Sequence, residues 1–206
     1  VLTLYYAPLT CALATHIALE EAGAAYEARR LDFSKAEQRS PEYLKINPKG
    51  RVPALVTPRG ILTETPSLLV YIAQSYPAAK LAPLDDPFAL AELQAFASYL
   101  ASTVHVAHAH RPRASRWADE PASLEDMKRK TTGNMRDCFT LIQRELFRGP
   151  WAMGEAYSVI DGYLFTLASW LAGDGVEIAE FPAIADHSRR VAQRPAVKRV
   201  LAAEAA

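Results

Sequence analysis

Arg51-Val52-Pro53-Ala54-Leu55-Val56-Thr57-Pro58-Arg59-Gly60-Ile61-Leu62-Thr63-Glu64-Thr65-Pro66 reads as two short strands followed by the start of a helix. Val52 to Thr57 and Gly60 to Thr63 carry the aliphatic and β-branched residues of strands, and Pro58-Arg59-Gly60 between them is the turn signal of an antiparallel hairpin. Thr65 is placed to cap the helix, with Pro66 in its first turn, where a missing N–H costs nothing. Leu68, Leu69, Ile72 and Ala73 give this helix an apolar face, and Pro77 ends it. Toward the N-terminus, Leu2 to Tyr6 reads as a strand, Ala12 to Ala22 as a helix stopping at Gly23, and Tyr26 to Leu31 as a second strand, so a βαβ unit precedes the ββα unit. Pro41 to Ile46 is a short helix or turn between them.

In the other direction the pattern changes. Pro77 to Pro87 holds three prolines and reads as a linker. Beyond it, Phe88 to His110, Leu124 to Phe147, Ser158 to Ala172 and Phe181 to Ala203 have helical periodicity broken by Gly or Pro. The chain is thus expected to be an α/β domain over residues 1–77, a linker over 78–87 and an all-helical domain over 88–206. Ser158-Val159-Ile160-Asp161 has capping-box spacing and marks a helix start, not a chemical site.

Of 206 residues, half are apolar and 22% are charged, which suits a globular core and excludes a disordered chain. Lys plus Arg number 23 and Asp plus Glu 23, so no net field gathers polyanions and nucleic acid is not an expected partner. No apolar run approaches the ~20 residues of a membrane span, and Val1 to Tyr6 lack a basic flank, which together predict a soluble cytoplasmic protein. Cys11 and Cys138 make no CxxC or zinc spacing.

Three segments, in order, resemble the cytosolic glutathione transferases over essentially the whole chain. Asn47-Pro48-Lys49-Gly50-Arg51-Val52-Pro53-Ala54-Leu55 is similar to the family's segment before its third strand, where the proline after Val is cis. Tyr157 to Phe165 is similar to its capping-box helix. Tyr6-Ala7-Pro8-Leu9-Thr10-Cys11-Ala12-Leu13-Ala14-Thr15-His16 is most similar to the bacterial beta class, whose cysteine sits at this point. The resemblance implies a thioredoxin-like N-terminal domain that binds glutathione, a helical domain that lines the electrophile site, and a homodimer.

Cys11 stands where a helix N-terminus would stabilise a thiolate and lower the pKa below ~8.5. An inert buried cysteine is the competing reading, and Tyr6 and Thr10 are hydroxyl alternatives for holding the glutathione sulfur. Ala14 occupies the second position of a CxxC pair, so an external thiol would have to resolve Cys11. A cis Val52-Pro53 bond would leave the Val52 N–H and C=O free to pair with the cysteinyl part of glutathione. By resemblance, Glu64 and Thr65 hold the γ-glutamyl group, although Thr65 alone reads as a cap. Arg51 faces the glycine carboxylate or solvent. His105 matches the class histidine that approaches the thiol, and Ser98 lies where the class commonly places an Asn; Ala12 replaces a common Ser.

His105, His108 and His110 do not read as a metal site, because His110 turns off the shared face, no acidic or cysteine ligand is suitably spaced, and Arg111 and Arg113 oppose a cation. His108 and His110 read as interface or surface residues. Arg111, Arg113 and Arg116 read as a solvated face or as groups that steer acidic substrates. Gly173-Asp174-Gly175 reads as a turn. The expected activity is conjugation of glutathione to small hydrophobic electrophiles. Glutathione-dependent thiol-disulfide exchange or peroxidase chemistry through Cys11, and a non-catalytic binding module, are the alternatives.

Overall fold

A computed structural model describes residues 1–205. Its sheet has the strand order β2-β1-β3-β4, with β1 at Leu2–Tyr6, β2 at Tyr26–Arg30, β3 at Ala54–Thr57 and β4 at Gly60–Thr63. Central β1 runs parallel to β2, with Leu4 opposite Ala28, and antiparallel to β3, with Leu4 opposite Leu55. Its alternating Leu2, Leu4 and Tyr6 point into the core, whereas β2 is a charged edge carrying Glu27, Arg29 and Arg30. β3 begins at Ala54, two residues later than the sequence pattern suggests, because Pro53 has no N–H to give the ladder.

Helix α1, Ala12–Glu21, is buried continuously from Ala12 to Leu19. A helix that is apolar all round must be covered all round. Three helices cover it: α3 at Thr65–Ser75, α7 at Val159–Ala168 and α9 at Pro195–Ala205. A Cβ on Gly162 of α7 would meet Ile17 Cγ2 at 3.1 Å, so the glycine permits this approach of two helix backbones. The same junction holds a buried contact between His16 Nδ1 and Glu204 Oε1 at 2.8 Å and a bidentate pairing of Arg194 with Glu21 at 2.5 and 2.8 Å. A single hydrophobic cluster extends from Leu2 in the sheet to Ile184 in the helical region.

Helix α2, Pro41–Ile46, is helical as one of its two readings had it, and Ser40 caps it by accepting from the Tyr43 N–H. Residues Pro77 to Asp86 contain one 3-10 turn and no longer element. Asp86 then caps α4, Pro87–Tyr99, by accepting from the N–H groups of Phe88 and Ala89 at 3.0 and 3.1 Å. A π turn at Leu100–Val104 joins α4 to α5, His105–Ala109, in one rod. Helix α6, Pro121–Leu141, starts ahead of the expected Leu124 because Pro121 is accommodated in the first turn. The helical stretch expected from Phe181 to Ala203 is split into α8, Pro182–Gln193, and α9, since Pro195 lacks an N–H and disfavours helical geometry at Arg194.

The box at Ser158 is structural, as its spacing implied. Ser158 Oγ accepts from the Ile160 N–H at 3.3 Å, and the buried Asp161 carboxylate accepts from the N–H groups of Ser158 and Ala152, each at 2.7 Å, and from His187 Nε2 at 2.8 Å. Among the described residues, no helix is long and apolar enough to cross a membrane.

Candidate active site

Two cavities meet at Cys11. The smaller, about 140 Å³, lies between the loop before β3, the start of α3 and the α5 rod. The larger, about 400 Å³, opens on the other side of Arg51 and His105 toward the segment after α5. Cys11, Arg51, Val52, His105 and Arg116 border both.

The loop from Asn47 to Pro53 forms the near wall of the smaller cavity. Two donors, the Asn47 amide at 2.7 Å and the Tyr43 hydroxyl at 2.6 Å, converge on the Arg51 carbonyl and hold the turn. Gly50 has φ of 60°, and a Cβ there would lie 2.9 Å from the Gln38 carbonyl, so both backbone conformation and space require glycine. The Val52-Pro53 bond is cis. The Val52 N–H makes no backbone hydrogen bond among the described residues, but its carbonyl accepts from Cys11 Sγ at 3.6 Å, so only one of the two groups expected to be free is free.

Helix α3 differs from the sequence reading at its first residue. Glu64, not Thr65, is the capping position, and its side chain makes no cap. Glu64 has φ of 72°, a conformation rare outside glycine that must be held by its surroundings. Its carboxylate pairs with the Lys49 ammonium, which also donates to Thr63 Oγ1 at 2.8 Å. Thr65 becomes the first helical residue, is buried, and borders the cavity beside Cys11 and Tyr163. With Pro66 next, the N–H groups of Thr65 and Ser67 are left at the helix start.

Cys11 precedes α1 as expected, but its surroundings in the fold work against the thiolate. It is buried, and burial pushes the thiol pKa up, while the nearby Thr65 hydroxyl and Arg113 guanidinium oppose the shift. The helix start offers little to counter burial, because its N–H groups are already engaged. Ala12 donates to Thr10 Oγ1 at 3.3 Å, Leu13 to the Thr10 carbonyl at 3.2 Å and Ala14 to the Cys11 carbonyl at 3.2 Å. The thiol donates a hydrogen bond to the Val52 carbonyl, at 3.6 Å.

The two hydroxyl alternatives lie elsewhere or are committed. Tyr6 borders neither cavity; its ring packs on His16 with centroids 5.0 Å apart. Thr10 borders the larger cavity, where its hydroxyl already donates to the Ala7 carbonyl at 2.6 Å. Ser98 is exposed and borders neither cavity. In an unbroken α-helix Ser98 and His105, seven apart, would share a face. The π turn between them shifts the face by about 100°, the rotation of one inserted residue.

His105 does reach the site. Burial, then the positive charges of His108, Arg113, Arg116 and Arg51, lower its pKa to about 4, so the imidazole is neutral at physiological pH. Its ring meets the edge of Trp170 with centroids 5.0 Å apart, and the His108 ring stacks on Trp170 at 4.3 Å. His108 is thus a cavity residue and not a surface one. Its Nδ1 donates to Asp174 Oδ2 at 2.7 Å. Asp174, read as part of a turn, is fully buried and lies 3.5 Å from Arg111 Nε, while its backbone carbonyl accepts from Thr132 at 2.7 Å. Arg111, Arg113 and Arg116 border the larger cavity together with Arg39 and Arg51. The sequence groups Arg111, Arg113 and Arg116, but no spacing links them to Arg39 and Arg51, and Trp170 and Tyr163 were unmarked.

Among the described residues no group of three acidic, histidine or cysteine side chains is arranged to hold a metal ion.

Comparison with known proteins gives a consistent result. Residues 1–74 match the family described as glutathione S-transferase, N-terminal domain. A glutathione transferase homologue from Sulfitobacter, solved with bound glutathione, is 46% identical over 98% of this chain and 97% of its own, with a TM-score of 0.95. The bacterial beta class glutathione S-transferase of Sphingomonas chungbukensis is 33% identical over 98% of both chains, with a TM-score of 0.86. Among curated proteins, glutathione S-transferase GstA of Escherichia coli O157:H7 is 29% identical over 98% of each chain.

Proposed function

The chain belongs to the glutathione transferase family, and from that premise we propose that it joins the sulfur of glutathione to a small electrophile at the meeting point of its two cavities. The observation that carries the reading is the unpaired Val52 N–H in the crevice bordered by Cys11, Glu64 and Thr65. An extended peptide can add to such a backbone group as a short strand. The Val52 N–H receives the cysteinyl carbonyl of glutathione. Glu64 turns from Lys49 to the γ-glutamyl ammonium, and the Thr65 and Ser67 N–H groups take the adjoining carboxylate. Arg51 takes the glycine carboxylate. Residues 1–77 thereby hold glutathione, and residues 88–206, beyond the 78–87 linker, line the electrophile side.

In the conjugation step the glutathione sulfur forms a new bond to carbon, its thiol proton passes to solvent, and the electrophile's leaving group departs with the bonding pair. Cys11, its S–H turned from the Val52 carbonyl, and His105 act on that sulfur as hydrogen-bond donors. An imidazole with a pKa of about 4 is a poor acceptor for a proton to be held at pH 7, so His105 orients the sulfur and does not store its proton. The raised thiol pKa likewise supports a donating Cys11 over a nucleophilic one. Cys11→Ala is expected to retain aryl chloride conjugation within about threefold, and Cys11 to alkylate with iodoacetamide at least about tenfold more slowly than free cysteine at pH 7.5.

The protein is proposed to act as a homodimer in the cytoplasm; light scattering that gives the mass of one chain at micromolar concentration would contradict the dimer. Turnover of 1-chloro-2,4-dinitrobenzene with glutathione tests the activity. Glutathione must also raise the thermal midpoint, since a ligand of the native state adds about 2.7 kcal/mol at a hundredfold excess over Kd. Neither turnover nor stabilisation at millimolar glutathione would defeat the proposal.

A further inference from the structure

The larger cavity is unusual in its charge. Arg39, Arg51, Arg111, Arg113 and Arg116 border it, and Asp174 is the only carboxylate among its lining residues. That carboxylate is already shared between His108 at 2.7 Å and Arg111 at 3.5 Å. Arg39, Arg51, Arg113 and Arg116 form no ion pair among the described residues. Elsewhere the chain pairs its arginines freely, as Arg136 with Glu180, Arg148 with Glu92 and Arg194 with Glu21. Their mutual repulsion is felt: beyond the effect of burial, Arg113, Arg51 and Arg39 lower the pKa of Arg116. One glycine carboxylate from glutathione occupies one guanidinium fork, that of Arg51, which leaves three without a counter-charge.

The same wall carries an aromatic patch. Trp170, with His108 stacked on it and His105 against its edge, offers a surface for a flat ring, and its buried indole N–H has no acceptor among the described residues.

We propose that the second substrate is an anionic electrophile, a flat aromatic or conjugated ring bearing a carboxylate, whose acid group is held by Arg39, Arg113 and Arg116 while its ring lies against the Trp170 wall. Planar guanidinium groups suit a carboxylate in geometry as well as charge. The ring's reactive carbon then faces the sulfur held between Cys11 and His105. For an aryl chloride the C–S bond forms, the C–Cl bond breaks, chloride leaves with the electron pair and the thiol proton goes to solvent. This inference rests on the transferase reading for the chemistry, but its binding arm does not need turnover.

Two substrates with the same leaving group separate the possibilities: 4-chloro-3,5-dinitrobenzoate and its methyl ester. With rates divided by the uncatalysed rates, the acid is expected to be preferred in kcat/KM by about tenfold or more, the effect of one charge-assisted hydrogen bond. Arg39→Ala and Arg113→Ala should each shrink the acid-to-ester ratio several-fold, and salt should shrink it in the wild type. The ester serves as the internal reference because Arg113 also acts on Cys11 and His105. A wild-type ratio near one, or a ratio that neither variant changes, overturns the inference. Failure to turn over either compound counts against the transferase reading instead, and binding then decides the inference. With saturating S-methylglutathione in the smaller cavity, the acid should still quench tryptophan fluorescence at lower concentration than the ester. Equal affinities, or displacement of the acid by S-methylglutathione, would assign the arginines to glutathione's own carboxylates and overturn it.

Discussion

The smaller cavity takes most of its polar groups from short-range features of the chain between Asn47 and Pro66, many of them backbone; the larger gathers long side chains from positions as distant as Arg39 and Asp174. Backbone groups are aimed by local turn chemistry, so the recognition they provide follows from Pro, Gly and cap residues at fixed spacing. Side-chain recognition depends on which helices pack together, and the same chain segments could present other residues there without changing the fold. The first cavity suits a co-substrate that does not vary, and the second suits one that does.

The largest expected effect falls on the side-chain-built wall. Asp174→Ala removes a buried carboxylate from His108 and Arg111 and should cost about 3–5 kcal/mol, read from urea unfolding. Under conditions where the variant is folded, its affinity for glutathione should stay close to wild type. A joint loss of glutathione binding would show that the two cavities are one unit and break the contrast.

Glu64→Ala tests the other side. Loss of the counter-charge for the γ-glutamyl ammonium should weaken glutathione binding by about 1.5–3 kcal/mol, roughly ten- to a hundredfold by calorimetry. The preference between acidic and esterified acceptors should not move. An unchanged glutathione affinity would place the ammonium away from Glu64.

His105 sits between the cavities, and its effect depends on pH. Below about pH 6.5 the unfolded imidazole binds a proton that the folded one refuses until about pH 4. The stability associated with neutral His105 is therefore intact above pH 6.5 and is lost as pH falls toward 4. Between pH 7.5 and 4.5 the wild type should lose roughly 2 kcal/mol more than His105→Phe, measured as the difference in unfolding free energy. Parallel losses would mean that neither burial nor the neighbouring positive charges hold the imidazole neutral.

The smallest effect is expected at Lys49. Its pair with Glu64 is solvent-exposed, so Lys49→Ala should change stability by less than about 0.5 kcal/mol. Because glutathione must draw Glu64 away from Lys49, binding should tighten slightly. Weaker binding would mean that the lysine itself holds glutathione.

Legibility followed the same division. The strands, α1, the ββα unit and the box at Ser158 were readable because each depends on residues a few positions apart. Arg51, Val52, Pro53, Glu64 and Thr65 were singled out through a motif, and the structure lines one cavity with them, Cys11 and His105. The errors came where a local pattern met a tertiary fact. Thr65 looked like a cap because Thr-Pro usually starts a helix so, but Glu64 adopts positive φ and takes the position. Ser98 lies outside both cavities of the chain, beyond a π turn that no periodicity reveals. The thiol of Cys11 was expected to have a lowered pKa from its place at a helix start, but burial pushes it up and the N–H groups there are engaged. His108, Asp174 and the arginines carried only the weak signal of clustered charge near helix ends.

Helix α1 places a limit on how this chain could recombine with its relatives. The proline-rich stretch before α4 invites exchange of the parts on either side, yet α1 belongs to both: it contributes to the sheet's layer and is roofed by α7 and α9. A chimera cut at that stretch would set a foreign helix surface against Gly162, which admits Ile17 only at 3.1 Å. Side-chain partners such as Arg194 and Glu21, or His16 and Glu204, would also be separated across the cut. Parts that are contiguous in sequence are therefore not interchangeable here, and new acceptor specificity is more accessible through side chains lining the arginine-rich cavity than through exchange of the whole helical half.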